Sequence, residues 1–261
     1  MHDLIKTLDP IEEIDGFLVK RGDNFKLGYV NGSKARQCYH VVYKNLEVIK
    51  EKHNGTIITG AGLPSPQTAI TAQVANHFGL NCIISCPRYD NSKVDLDRIN
   101  ISIAQKLGAK IYGVSNPNPS GYQCDVRFHK EKSNPYEIKF GMIGREALEP
   151  VIYQTQNIPE NVEEITIISG SGLSALSILL GVKKYGKSNV KRVNIIELSG
   201  FIYRNKEKWY DPLPLEEKFD GEINIVGSSH AYISNLKIMI FLTTLMSRKH
   251  GIGWLKTESQ V

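Results

Sequence analysis

Thr56-Ile57-Ile58-Thr59-Gly60-Ala61-Gly62-Leu63-Pro64-Ser65-Pro66 is the stretch that decides the fold. A short β-rich run meets a glycine loop. Behind it a helical pattern starts near Gln67, reaches Phe78 and stops at Gly79. Asn81 to Cys86 is a second apolar run, closed by Pro87. Strand, glycine loop, helix and strand in that order predict a parallel α/β layer. The unit repeats downstream: a helical pattern from Asp95 to Leu107, a Gly108 stop, and an apolar run from Lys110 to Val114.

The same device returns near residue 170. Ile165 to Ile168 reads as a buried strand, followed by Ser169-Gly170-Ser171-Gly172-Leu173-Ser174 and an apolar helix through Leu180. Val193 to Glu197 is the next strand, and Ile223 to Val226 a further candidate. Upstream, Phe17 to Arg21 reads as a strand. Ala35, Cys38, Tyr39, Val42, Leu46 and Ile49 then recur at helical spacing, up to an Asn54-Gly55 stop. Ser115 to Pro135 is rich in Asn, Pro, Ser and Gly and reads as an irregular loop. Phe140 to Gln156 and Leu236 to Met246 read as helices, and Gly253 to Thr257 as a last short strand.

The 261 residues suffice for one large or two smaller domains, and the net charge of +5 fits a phosphorylated cofactor, an anionic substrate or a nucleic-acid surface without choosing among them. Cys38, Cys82, Cys86 and Cys124 lack the paired spacing of a zinc site, and Cys38 and Cys82 read as core thiols. No apolar run is long enough to span a bilayer, and the charged start lacks a signal core. A cytoplasmic protein without membrane contact is the expectation.

Two loops and one lysine carry the chemistry. Ser169 to Ser174 places backbone N–H groups and a helix N-terminus around one point, with Ser171 and Ser174 as added donors. That suits a phosphate; the competing reading is a tight turn whose glycines only allow close packing. Gly60 to Ser65 spells a near dinucleotide-binding pattern, but the second strand ends Ser85-Cys86-Pro87-Arg88, without the acid such a site uses. Asn31-Gly32-Ser33-Lys34-Ala35-Arg36 puts Lys34 in the first turn of a helix, where an amine is held in place and can react with a cofactor aldehyde. By itself it is also an ordinary surface lysine. His230 follows Gly227-Ser228-Ser229 in a loop and has no paired motif.

In this order the pieces resemble fold type II, the tryptophan-synthase-β-like pyridoxal-phosphate enzymes, nearest to the deaminase and desulfhydrase branch. Phe17-Leu18-Val19-Lys20-Arg21-Gly22-Asp23 is similar to the family's strand ending in Lys-Arg-Glu-Asp, and Asn31 to Arg36 to its Gly-x-Lys-x-Arg segment with the Schiff-base lysine. Gly62 to Thr68 is similar to its Gly-x-x-Ser-Asn loop, Ala75 to Leu80 to the Ala-x-x-Leu-Gly-Leu that follows, and Ser169 to Ser174 to its phosphate loop. Two departures stand out: Gly22 replaces the acid of the first motif, and Pro66 replaces the asparagine that lies against the cofactor ring.

The resemblance implies two three-layer αβα domains with mainly parallel twisted sheets and pyridoxal 5'-phosphate in the cleft between them. Residues 1–48 and 142–261 would form the large cofactor-binding domain and 49–141 the small one. Lys34 would hold the cofactor as a Schiff base and serve as base at the α-carbon. Ser65 would assist catalysis and, with Gln67 and Thr68, bind the substrate. Gly170, Ser171, Gly172, Leu173 and Ser174 would hold the phosphate, and Thr257 or Ser259 would meet the ring nitrogen, with Glu258 as the adjacent alternative. The implied activity is elimination, replacement or deamination on a small amino-acid-like substrate by a homodimer. The chain is short for the family, and some bacteriophage relatives are associated with modified DNA bases. An amino-acid-like group on a large substrate such as hypermodified phage DNA is therefore the alternative. A nucleotide-binding protein using Gly60 to Ser65 and a non-catalytic relative also stay open.

Overall fold

The computed structural model describes residues 2–88, 96–116, 118–198, 206–227 and 238–241. The chain starts with α1 (His2–Lys6) and the antiparallel pair β1 (Ile11–Ile14) and β2 (Phe17–Lys20). A hairpin, β3 (Lys26–Leu27) with β4 (Val30–Asn31), feeds α2 (Gly32–Lys44). The helical pattern expected to run unbroken into the fifties divides at Asn45. Its side-chain amide turns back to the Val41 carbonyl at 2.8 Å, and α3 (Leu46–Lys52) begins afresh.

The stretch around Gly60 folds as its pattern requires. β5 (Thr56–Gly60), α4 (Gln67–Phe78), β6 (Asn81–Pro87), α5 (Ile99–Lys106) and β7 (Lys110–Val114) follow one another. Ser115 to Pro135 departs from expectation: most of it is α6 (Pro119–Ser133). Pro119 opens the helix and Asn134, left-handed at φ 48°, closes it. Only Tyr122, Val126 and His129 form its buried stripe, too few apolar positions for the period to show in the sequence. β8 (Tyr136–Glu137) completes a four-stranded parallel sheet in the order β7-β6-β5-β8.

Phe140 to Gln156 is not one helix. Gly141 and Met142 adopt φ values of 70° and 58°, which breaks the run into short 3-10 turns before α7 (Glu149–Tyr153). β9 (Glu164–Ser169), α8 (Leu173–Lys184), β10 (Arg192–Glu197) and β11 (Glu222–Gly227) follow. β12 (Ile238–Phe241) corrects the helix expected from Leu236 to Met246. Met239 pairs in parallel with Leu18 on one side and Ile165 on the other. An Ile-Met-Ile-Phe run placed between two strands gains more as a ladder than as a lone helical turn. Among the described residues the second sheet has six strands, β1-β2-β12-β9-β10-β11, parallel except at β1.

One apolar cluster joins both sheets. It includes Ile57 and Ile84, passes through Ala35, Cys38 and Tyr39 of α2, and reaches Ile165, Ile167 and Leu176. Such near-continuous apolar strands are what a parallel sheet covered on both faces requires. The thiols of Cys38 and Cys82 are core groups, as read: burial pushes that of Cys38 up to about 12. No helix among the described residues is long and apolar enough to cross a membrane.

Candidate active site

The loops that follow β5 and β9 leave the carboxyl ends of parallel strands, where α/β sheets bind ligands. Both differ from the start of α2, which a hairpin supplies.

Lys34 sits in the first turn of α2. Gly32 takes φ 87°, which a side chain would strain, and its N–H donates to the Phe25 carbonyl at 2.9 Å. The preceding turn is held from outside: the Tyr29 N–H donates to Gln73 Oε1 of α4 at 3.0 Å. Two residues further along α2, Arg36 enters a buried polar network. Arg36 forms an ion pair with Asp9 and donates to the Thr7 carbonyl at 2.9 Å, and its guanidinium lies 4.8 Å from the centre of the Phe25 ring. Lys20, at 1% exposure, donates to the Asp9 carbonyl at 3.0 Å and to Asn157 Oδ1 at 2.5 Å. Gln154 accepts from the Asp9 N–H and donates to the Thr7 carbonyl. The Lys-Arg motif at the end of β2 is thus spent on fixing the chain under α2. Arg21 pairs with Glu12 and Asp23.

Lys34 itself is half-buried and, among the described residues, has no hydrogen-bond or ion-pair partner. Burial lowers its ammonium below the usual lysine range. A lysine with no carboxylate to hold its charge, and a partly desolvated amine, is disposed toward the neutral, nucleophilic form.

The loop before α4 is tied down. Ser65 Oγ accepts from the Gln67 N–H at 3.3 Å, and Thr68 Oγ1 donates to the Ser65 carbonyl at 3.1 Å. The Gln67 side chain is fully buried and bonded three ways: it donates to Thr59 Oγ1 at 2.7 Å and to the Lys139 carbonyl at 2.9 Å, and accepts from the Gly141 N–H at 2.8 Å. Its place is in the frame of the loop, a role that the sequence did not separate from substrate contact.

The loop before α8 is built otherwise. Gly172 takes φ 84° and, as the N-cap residue, has no side chain to cap the helix, which suits the first-turn amides of this 12-residue helix to an anion. A Cβ at Gly170 would meet nothing within 4 Å. Gly170, Ser171 and Ser174 are partly exposed, while Gly172 and Leu173 are buried. Gly141 joins the two loops: its carbonyl accepts from Ser171 Oγ at 3.4 Å and its N–H reaches Gln67. Sequence reading took this segment as the start of a helix from Phe140 to Gln156, although two glycines three residues apart are a signal against a helix. The turn at 140–142 also packs on α2, the helix of Lys34. Thr257, Glu258, Ser259 and His230 lie outside the described residues.

These residues suit a phosphorylated aldehyde cofactor in two respects: a half-buried amine without a partner among the described residues, and a helix start whose cap, Gly172, has no side chain.

No family model matches the chain. Over 185 residues it is 26% identical to the O-seryl-dTMP PLP-dependent decarboxylase of Salmonella phage ViI. That match takes in 64% of this chain and 41% of the relative, so less than half of the relative's length is represented. Among solved structures, a homologue of ACC deaminase superposes with a TM-score of 0.65 at 15% identity, covering 92% of this chain and 90% of the other. A pyridoxal 5'-phosphate-dependent aspartate racemase gives 0.64 at 13%, covering 90% and 89%. Threonine deaminase isoform 2 of Solanum lycopersicum gives 0.65 at 12%, covering 92% and 79%. At such identities the likeness is one of architecture, and the chain has the fold of the fold type II pyridoxal-phosphate-dependent enzymes.

Proposed function

We propose that this chain is a pyridoxal-phosphate-dependent enzyme that acts at the α-carbon of an amino-acid group carried on a nucleotide, removing its carboxylate. The observation that carries the cofactor reading is Lys34: a half-buried amine without a partner among the described residues, on a braced helix start, in this fold. The nucleotide and the decarboxylation rest on the similarity to the phage enzyme.

In this reading Lys34 Nζ is the covalent partner of the cofactor aldehyde. Gly170, Ser171, Gly172, Leu173 and Ser174 hold the phosphate at the start of α8. Ser65 Oγ already accepts from the Gln67 N–H, so its own proton is left to donate to a substrate carboxylate. Thr68 and Gln67 hold the Ser65 loop in shape. Bound pyridoxal phosphate supplies an electron sink for the pair left when the bond from Cα to the carboxylate breaks and carbon dioxide leaves. Lys34 Nζ, once the substrate's own amine has replaced it at the aldehyde and passed it a proton, would return that proton to Cα.

An absorption spectrum tests the cofactor reading. Wild-type protein with added pyridoxal phosphate gains a band at the violet edge of the visible, and Lys34→Ala lacks it. A wild-type chain that gains no band contradicts the reading.

A further inference from the structure

A cleft of about 260 Å³ opens between α2 and the segment 136–146, lined among others by Cys38, Val41, Lys139, Met142 and Arg145. Its floor is the face of α2 that carries Lys34, because helical spacing puts Lys34, Gln37, Cys38 and Val41 on one side. On that side the Gln37 amide nitrogen is buried without a hydrogen-bond partner.

Two carboxylates and two cations line the cleft, and the carboxylates are engaged. Glu137 pairs with Lys130 at 2.7 Å, and Glu146 accepts from the Asn45 amide at 2.7 Å. Lys139 and Arg145 are exposed, and neither side chain has an ion-pair or hydrogen-bond partner among the described residues. These two cations, above a floor that includes Cys38 and Val41, fit a ligand with an anionic end and a flat apolar body. The far wall also adjoins the candidate site, since Gly141, between Lys139 and Met142, bonds to Gln67 and Ser171. Along α2 the step from Lys34 to Val41 is roughly 10 Å. That is about the reach of one nucleotide from its base to its phosphate.

We infer that this cleft is the nucleotide-phosphate subsite, with Lys139 and Arg145 taking the phosphate of a nucleoside monophosphate whose base-borne group is directed along α2 toward Lys34. The inference rests on the reading that the substrate is a nucleotide, and it adds where that nucleotide is gripped.

Titration calorimetry of the full chain with dTMP, thymidine and inorganic phosphate, with and without pyridoxal phosphate, tests it. Expected is saturable dTMP binding, with thymidine and inorganic phosphate each at least roughly tenfold weaker. Lys139→Ala with Arg145→Ala weakens dTMP by a similar factor and leaves the cofactor band and melting temperature unchanged. Val41→Trp, which fills the floor, weakens dTMP without touching a charge. Equal dTMP affinity in wild type and the double variant overturns the subsite, as does thymidine binding as well as dTMP. A cofactor band without dTMP binding overturns the subsite alone, whereas dTMP binding without a cofactor band overturns the cofactor reading alone.

Discussion

The loops after β5 and β9 look alike in sequence, each a strand, a glycine turn and a helix, yet the folded chain uses them in opposite ways. The first spends its polar groups on itself: Ser65, Gln67 and Thr68 bond within the loop or to Thr59, Lys139 and Gly141. The second keeps small residues around a helix start whose cap, Gly172, has no side chain. A loop of the first kind sets the shape of a site, and one of the second kind offers donors to an anion. The difference teaches that a shared pattern fixes the backbone path, and the side chains decide what the path is for.

Substitutions separate the two uses. The largest effect is expected at Gln67, where alanine strips partners from the Thr59 hydroxyl, the Lys139 carbonyl and the buried Gly141 N–H. Urea unfolding is expected to show a loss of about 3 kcal/mol, with cofactor affinity falling as well because Gly141 also holds Ser171. Gly172→Ala is next. The left-handed backbone strains any side chain, costing about 1–2 kcal/mol, and fluorescence titration is expected to show weaker pyridoxal phosphate binding. Ser65→Ala is the smallest of the three, about 0.5–1 kcal/mol for a lost N–H acceptor, with cofactor affinity unchanged. If Ser65→Ala weakens the cofactor more than Gly172→Ala does, the assignment of the two loops is reversed.

A fourth expectation concerns the buried network that Arg36 enters. Burial lowers the Lys20 ammonium to about 8, although Asp9 pulls the other way. In the unfolded chain a lysine titrates near 10.4, so between about 8 and 10 the unfolded state binds more protons and stability rises with pH. The rise is lost as pH falls back through 8. Denaturant titrations across that window are expected to show it in wild type and to show less of it in Lys20→Met. Equal slopes in the two proteins would remove Lys20 as the source.

Much of the scaffold was legible because parallel strands buried on both faces are written as continuous apolar runs. β5, β6 and β9 were readable that way, and β10 from Val193, Ile195 and Ile196 around a central Asn194. α6 was hidden because one narrow stripe, Tyr122, Val126 and His129, anchors a helix that is otherwise polar. β12 was misread because an apolar run of that length carries no period, and only its neighbours β2 and β9 select the strand. In the candidate site, Lys34 and the glycine loop were visible as local patterns. The linkage through Gly141, and the Asp9, Lys20 and Arg36 network, join residues up to 148 positions apart and exist only once the chain has folded.

The central claim is that Lys34 is the amine that takes the cofactor. Borohydride reduction of the pyridoxal-phosphate-loaded chain, followed by peptide mapping by mass spectrometry, measures this directly. The account predicts one pyridoxyl-phosphate adduct, on the peptide that contains Lys34, and none there in Lys34→Ala. An adduct on another lysine, or spread over the surface lysines with Lys34 unlabelled, would contradict it.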